Sequence, residues 1–124
     1  MKDHLDKNSR ENLVEYRLQR SYETLNEAEC LAANLHYSGA MNRLYYACYY
    51  CVTALLIANE VMVSTHNGVR SMFGMKFIKT GIIDISIGKF FNEIFELRPL
   101  MIMTTLSSVT KKHIRCFTRK QNTL

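Results

Sequence analysis

The hydrophobic pattern of the chain centres on one stretch. No charged side chain lies between Leu44 and Asn59. Apolar residues recur there at the three- and four-residue steps of a helix face, at Leu44, Cys48, Cys51, Leu55 and Ala58. The other faces are hardly more polar, which is typical of a helix buried on several sides. Because the stretch is shorter than the roughly 20 residues of a membrane span, it predicts the central helix of a bundle.

An amphipathic helix is predicted before the central one, over about residues 9–35. Ser9 can cap its start, and residues that share one face follow at helical spacing: Leu18, Tyr22, Leu25, Glu29 and Ala32. Charged residues fall on other faces, at Arg17, Arg20, Glu23 and Glu27. We expect Arg20, Glu23 and Glu27 to form a solvated, charge-paired surface. A short turn, His36-Tyr37-Ser38-Gly39, follows with Ser38 as a possible cap, so the two helices should run antiparallel.

Two shorter helices are predicted after the central one. The first covers about residues 65–79, and the second continues through several phenylalanines to Arg98. The residues that can start or stop them are Ser64 or Thr65, Gly81, and Asp84 or Ser86. With 48% hydrophobic residues and one proline, the chain predicts an all-α, up-and-down antiparallel bundle of four to five helices.

Several motifs stand in a characteristic order along this bundle. They are Asn42-Arg43-Leu44-Tyr45-Tyr46-Ala47, Thr65-His66-Asn67-Gly68-Val69, Phe73-Gly74, Phe77-Ile78-Lys79-Thr80-Gly81 and Phe95-Glu96-Leu97-Arg98. With this order and spacing, roughly residues 10–98 resemble the small prokaryotic branch of the HEPN superfamily. The resemblance implies a HEPN-like bundle that forms a homodimer. It also implies a protein that binds nucleotide or RNA and acts with a minimal nucleotidyltransferase partner in a toxin–antitoxin-type pair.

The net charge of +5 comes from one end of the chain. Residues 1–96 hold ten Lys or Arg and eleven Asp or Glu, whereas residues 97–124 hold six Lys or Arg and no acid. The bundle itself therefore carries no general basic signal for nucleic acid. The first ten residues contain no apolar signal segment, so we expect a cytoplasmic protein without a membrane association, whose four cysteines are reduced thiols.

The resemblance ends near Arg98, so we expect a HEPN-like helical domain of residues 1–98 and an atypical basic tail of residues 99–124. Family members continue after their Leu-Arg with an acidic, aromatic D-Y-D-D-F-like segment, which this chain lacks. Its Met101–Leu106 can be encoded by ATG ATT ATG ACG ACT TTA, and another frame of these letters reads GAT TAT GAC GAC TTT, which is D-Y-D-D-F. We hypothesise that the tail is an out-of-frame reading of the last helix of the family. The nucleotide sequence of the gene tests this.

Many HEPN proteins are metal-independent ribonucleases with an Arg-x4-6-His signature, in which a cation stabilises phosphate charge and an imidazole transfers protons. No arginine here has a histidine at that spacing; after Arg98 the positions hold Met103, Thr104 and Thr105. We therefore assign no catalytic residue and expect a non-catalytic module. The alternative is a metal-independent ribonuclease toxin with a nonstandard active site.

Five residues are candidates for contacts with nucleotide or RNA: Arg43, Tyr46, Tyr50, His66 and Arg98. Tyr46 and Tyr50 follow Arg43 along one helix face, where they could stack on bases. The guanidinium needs an anionic partner, which is either an acid such as Glu93 or Glu96, or the phosphate of a ligand. His66 either fixes its own loop through a local hydrogen bond or faces the same cleft as the arginines.

Cys48-Tyr49-Tyr50-Cys51 has the spacing of a redox motif or half of a zinc site. It lies inside the apolar helix, and no second pair follows it. We therefore expect both cysteines to pack in the core, and we predict neither a metal nor another cofactor. Phe90, Phe91 and Phe95 are expected to belong to the core or to a dimer face.

Overall fold

The computed structural model describes residues 6–97, and within this range it contains helices and no strand. Four α-helices follow one another: α1 (Lys7–Ala33), α2 (Tyr37–Ala58), α3 (His66–Phe73) and α4 (Ile85–Leu97). A π-helical segment, Gly74–Ile78, continues α3. The predicted all-α bundle is thus confirmed.

Helix α2 is the centre of the core, as its uncharged sequence predicts. Leu44, Val52 and Leu55 are completely buried, and α1, α3 and α4 all contact this helix. The most extensive contact is with α1, which buries the small side chains Ser21 and Ala28. Small side chains allow two helix backbones to approach closely, so α1 and α2 form a tightly packed pair.

The start of α1 differs from the prediction. The cap is Asp6, whose carboxylate accepts a hydrogen bond of 2.7 Å from the Ser9 backbone N–H, and the helix begins at Lys7. Ser9 therefore lies inside the first turn, because Asp6 supplies the acceptor that the exposed N–H groups of a helix start require. Ser38 is also no cap, since α2 begins at Tyr37 after His36 and has no side-chain cap.

Helices α1 and α2 end in the same way. Leu35 and Glu60 adopt left-handed backbone angles, with φ of 66° and 61°. The next N–H, of His36 or Val61, then donates back to a carbonyl in the last helical turn, at 2.8 Å and 2.9 Å. This is the Schellman closure, which occurs here without glycine. The short link between α1 and α2 that it produces places them side by side.

The Thr65–Val69 motif forms the start of α3. The Thr65 hydroxyl accepts a hydrogen bond of 2.9 Å from the Gly68 N–H, which confirms a predicted cap. Position 68 requires glycine, since a Cβ there would lie 2.4 Å from Val63 Cγ1 and 2.8 Å from Thr65 Oγ1. Val69 follows and is buried in the core. The motif therefore fixes the position of His66, the first residue of α3.

The remaining predicted helix signals are also present. Gly81 has φ of 82° after the π-helical segment, and Asp84 accepts a hydrogen bond of 2.9 Å from the Ser86 N–H at the start of α4. The hydrogen bond from the Ser86 hydroxyl, together with this one from the Ser86 N–H, lowers the pKa of Asp84. Phe90 and Phe91 are core residues.

The predicted boundary at residue 98 and the tail of residues 99–124 lie outside the described residues. The division of the chain there, and the hypothesis of a shifted reading frame, stay predictions.

The structure confirms that Cys48 and Cys51 pack in the core, where neither forms a disulfide within residues 6–97. Burial raises the pKa of the Cys48 thiol to about 12. No cluster of three or more His, Cys, Asp or Glu side chains suited to a metal occurs in the described part of the chain. Within residues 6–97, no helix has the length and hydropathy needed to cross a membrane.

Candidate functional site

Arginine and tyrosine side chains alternate on a surface formed by α1, α2 and the start of α3. The Arg43 guanidinium carbon lies 5.5 Å from the centre of the Tyr46 ring, and that of Arg20 lies 5.4 Å from the centre of the Tyr50 ring. These distances allow cation–π attraction. We call this the Arg–Tyr surface and define it by Arg20, Arg43, Tyr46, Tyr49, Tyr50 and His66.

The three tyrosines of this surface touch one another. Tyr46 lies 6.3 Å from Tyr49 and 6.2 Å from Tyr50 between ring centres, and Tyr49 lies 6.4 Å from Tyr50. Residues three and four apart share a helix face, which explains why Tyr46 meets both of the others. Each ring is partly exposed. The helix therefore presents a continuous aromatic platform with a guanidinium at two of its rings.

Both arginines also pair with an acid on α1. Arg43 Nη1 lies 3.4 Å from Glu27 Oε1, and its Nη2 donates to Asn42 Oδ1 at 2.9 Å. The prediction of Glu93 or Glu96 as the acid facing Arg43 is therefore wrong. Arg20 pairs with Glu23 at 2.9 Å, as expected for a solvated surface. Such exposed pairs contribute little to stability, so a phosphate can compete for either guanidinium.

His66 is held against the tyrosines. Its Nδ1 lies 2.6 Å from the hydroxyl of the buried Tyr45, and its ring stacks on Tyr49 with centres 4.5 Å apart and planes 15° apart. Its centre is 6.4 Å from that of Tyr46. His66 is otherwise exposed, and its Nε2 has no hydrogen-bond partner within residues 6–97. One ring nitrogen is thus fixed, and the other is available to solvent or a ligand.

The structure brings four of the five predicted residues into one region: Arg43, Tyr46, Tyr50 and His66. Arg98 lies outside the described residues. Arg20, Tyr45 and Tyr49 were not predicted as residues of this site. Tyr49 could have been found, because it follows Tyr46 by three residues on the same helix. Its burial raises the pKa of its phenol, an effect that the charge of Arg17 partly offsets.

Pockets border the helices of the described residues. One of about 250 Å³ lies beside Tyr49 and is lined by Arg17 and Thr53 among others. Another, of about 310 Å³, lies between α3, the π-helical segment and α4. At its edge, Arg70 donates to Asn92 Oδ1 at 2.9 Å, pairs with Glu96 and lies over the Phe95 ring. Arg70 therefore has a structural role in joining α3 to α4.

Comparisons with known proteins extend these observations. A UPF0332 protein of Thermotoga maritima is 36% identical over 113 residues, which cover 91% of this chain and 86% of the relative. Two proteins of Methanocaldococcus jannaschii are named "Putative toxin MJ0142" and "Putative toxin MJ0605". They are 34% and 33% identical over 68% and 79% of this chain, which correspond to 58% and 72% of their own lengths. No solved structure matches the chain.

The HEPN domain family matches residues 14–120, which include the motifs around Arg43 and His66. The matched range covers most of the chain, and the all-α architecture is consistent with a HEPN bundle. The chain therefore belongs to the HEPN domain family.

Proposed function

We propose that this protein is the HEPN member of a toxin–antitoxin-type pair and that it binds nucleotide or RNA without cleaving it. The names of the two Methanocaldococcus relatives support the first part. The Arg–Tyr surface supports the binding of nucleotide or RNA, because its rings can stack on bases and its guanidinium groups can bind phosphates. The absence of the Arg-x4-6-His signature from the sequence supports a non-catalytic role.

The observation that carries the binding proposal is the pairing of guanidinium and ring at two neighbouring positions, Arg43 with Tyr46 and Arg20 with Tyr50. An arginine can hold a phosphate through two parallel hydrogen bonds, and a tyrosine can stack on any base. Two such units on adjacent turns suit successive nucleotides of a single strand. Stacking does not depend on base identity, so we expect weak sequence preference.

Fluorescence anisotropy with a labelled single-stranded RNA tests this proposal. Tyr46→Ala should weaken binding by about 1–3 kcal/mol through lost stacking. Arg43→Gln should weaken RNA binding equally for all sequences. It should also reduce by about one the magnitude of the slope of the logarithm of the association constant against the logarithm of the salt concentration. Lys76→Gln is the matched control, because Lys76 is an exposed cation outside this surface. The proposal would be contradicted by an equal loss of RNA affinity in all three variants, or by the absence of RNA binding in the folded wild-type protein.

A minimal nucleotidyltransferase partner and a homodimer are further parts of the proposal. They rest on the family resemblance. Light scattering of the purified protein should give twice the chain mass of 14.4 kDa. Co-expression with a nucleotidyltransferase encoded beside this gene should yield a complex that co-purifies. A monomer in light scattering would contradict the homodimer. Two proteins that elute separately would contradict the nucleotidyltransferase partner.

One observation favours the alternative, a metal-independent ribonuclease. His66 is exposed and has one nitrogen fixed by Tyr45, as a group that transfers protons requires. Incubation with labelled RNA in EDTA distinguishes the two functions. Cleavage that is lost in His66→Ala or Arg98→Ala, and retained in the neighbouring control Asn67→Ala, would establish the ribonuclease. Intact RNA with a folded sample supports the binding module.

A further inference from the structure

The pocket of about 250 Å³ is separate from most of the Arg–Tyr surface, with which it shares Tyr49. It lies between α1, the second half of α2 and the segment that leads into α3. Six of its eleven lining residues are aliphatic, among them Leu13, Leu56, Ile57 and Val61. Against this wall stand a cation, Arg17, and a hydroxyl, Thr53.

Arg17 differs from the other arginines of the described chain. Four of the five lie within 4.0 Å of a carboxylate, in the pairs Arg10–Glu60, Arg20–Glu23, Arg43–Glu27 and Arg70–Glu96. Arg17 has no carboxylate at that distance within residues 6–97, although its side chain is half-buried. A guanidinium that is partly removed from water gains most from an anionic partner. Within the described residues, this one has none.

The partner that Arg17 does have is neutral and rigidly placed. Its Nη1 donates to Thr53 Oγ1 at 3.0 Å, and the Thr53 hydroxyl in turn donates to the Tyr50 carbonyl at 2.9 Å. Thr53 is buried, so this short chain of bonds orients the guanidinium at the pocket. One hydrogen bond occupies one of five N–H donors and leaves the rest for an oxyanion.

We propose that this pocket binds a small molecule with an apolar ring or chain and one carboxylate or phosphate group. The aliphatic wall would hold the apolar part, and the guanidinium of Arg17 would donate to the anionic oxygens. The pocket is smaller than the roughly 300–1,000 Å³ typical of sites for drug-sized ligands. A ligand of about ten non-hydrogen atoms therefore fits it. The site shares Tyr49 with the Arg–Tyr surface, but its anion contact is Arg17, and the proposal does not depend on RNA binding.

Methyl NMR titration of the full chain tests the proposal. The anionic probes are phenylacetate and phenyl phosphate, and the neutral match is phenylacetamide. Both anions, or one of them, should shift the methyl signals of Ile57, Val61 and Met62, while Ile85 in the second pocket stays unchanged. Binding of one anion alone identifies the head group as carboxylate or phosphate. Absence of pocket shifts with either anion overturns the proposal.

Matched variants assign the affinity to the guanidinium. Arg17→Met should weaken binding of the anions by about tenfold or more and leave phenylacetamide unchanged. Arg10→Met removes a guanidinium that lies on the same helix but outside the pocket, so it should leave the affinity for the anionic probes unchanged. Thr53→Val keeps the shape of the side chain and the charge of Arg17 but removes the oxygen that orients the guanidinium. It should therefore weaken binding of the anions by a smaller factor, and it provides a test if Arg17→Met fails to fold. Equal binding of phenylacetate and phenylacetamide would overturn the proposal.

Discussion

The Tyr45 hydroxyl lies 2.6 Å from Nδ1 of His66 and joins the buried face of α2 to the first residue of α3. Tyr45→Phe should lower the free energy of unfolding by about 1 kcal/mol, since the ring remains and the hydrogen bond is lost. Urea unfolding of Tyr45→Phe, His66→Ala and the double variant gives the coupling energy between the two side chains. We expect about 1 kcal/mol; additive losses would show that this contact contributes nothing to stability.

Gly68 and Gly74 lie in the same helical region and should respond oppositely to alanine. A Cβ at position 68 would meet Val63 Cγ1 at 2.4 Å, whereas one at position 74 has nothing within 4 Å. Gly68→Ala should therefore destabilise the fold by about 1–3 kcal/mol through overpacking. Gly74→Ala, at helical angles, should stabilise it by about 0.5–1 kcal/mol. Thermal unfolding of both variants measures this, and changes of the same sign would contradict it.

Asp84 makes stability depend on pH. Hydrogen bonds from Ser86 lower the pKa of this carboxyl in the folded chain below its ordinary value of 3.8. The stabilisation is therefore fully present above about the ordinary value and is lost as pH falls through the folded pKa.

Asp84→Asn should lower the melting temperature at neutral pH, and the difference from wild type should shrink as the solution is acidified below pH 3.8. A difference that is constant down to about pH 2 would contradict this. Glu11→Gln is a control at an exposed acid.

The cysteines of the described chain should differ sharply in reactivity. Cys30 is exposed, whereas Cys48 and Cys51 are buried, and burial raises the pKa of Cys48 to about 12. Because the thiolate is the reactive form, iodoacetamide should modify Cys30 in the native protein and reach the other two only after unfolding. Peptide mapping by mass spectrometry reports each site. Modification of Cys48 as fast as Cys30 would show that α2 opens readily.

The features that the sequence predicted well are local ones. The uncharged run identified α2, and Thr65 with Gly81 marked the limits of the next helical region, because caps and turns depend on a few neighbouring residues. The start of α1 was placed too late because Ser9 and Asp6 are both good caps. Nothing in the pattern indicated the π-helical segment Gly74–Ile78.

The candidate site was predicted only in part because it depends on how helices face one another. Helical spacing placed Tyr46 and Tyr50 beside Arg43, since all three lie on α2. The acid opposite Arg43 depends on the rotation of α1 against α2, which spacing within either helix does not determine. Within the described residues, Arg17 is distinguished by the lack of a nearby carboxylate, and spacing along one helix does not predict which acids lie close in three dimensions.

His66 and Tyr49 meet across the junction of α3 with α2, so the Arg–Tyr surface does not belong to a single element. Helices α1 and α2 share the largest contact, while the short α3 adds a smaller one. A partial opening that releases α3 therefore costs less than global unfolding. In that open state the tyrosine platform would persist without its histidine. The complete surface exists only in the fraction of molecules whose α3 is docked, and any ligand that contacts both helices must shift this equilibrium toward the closed form.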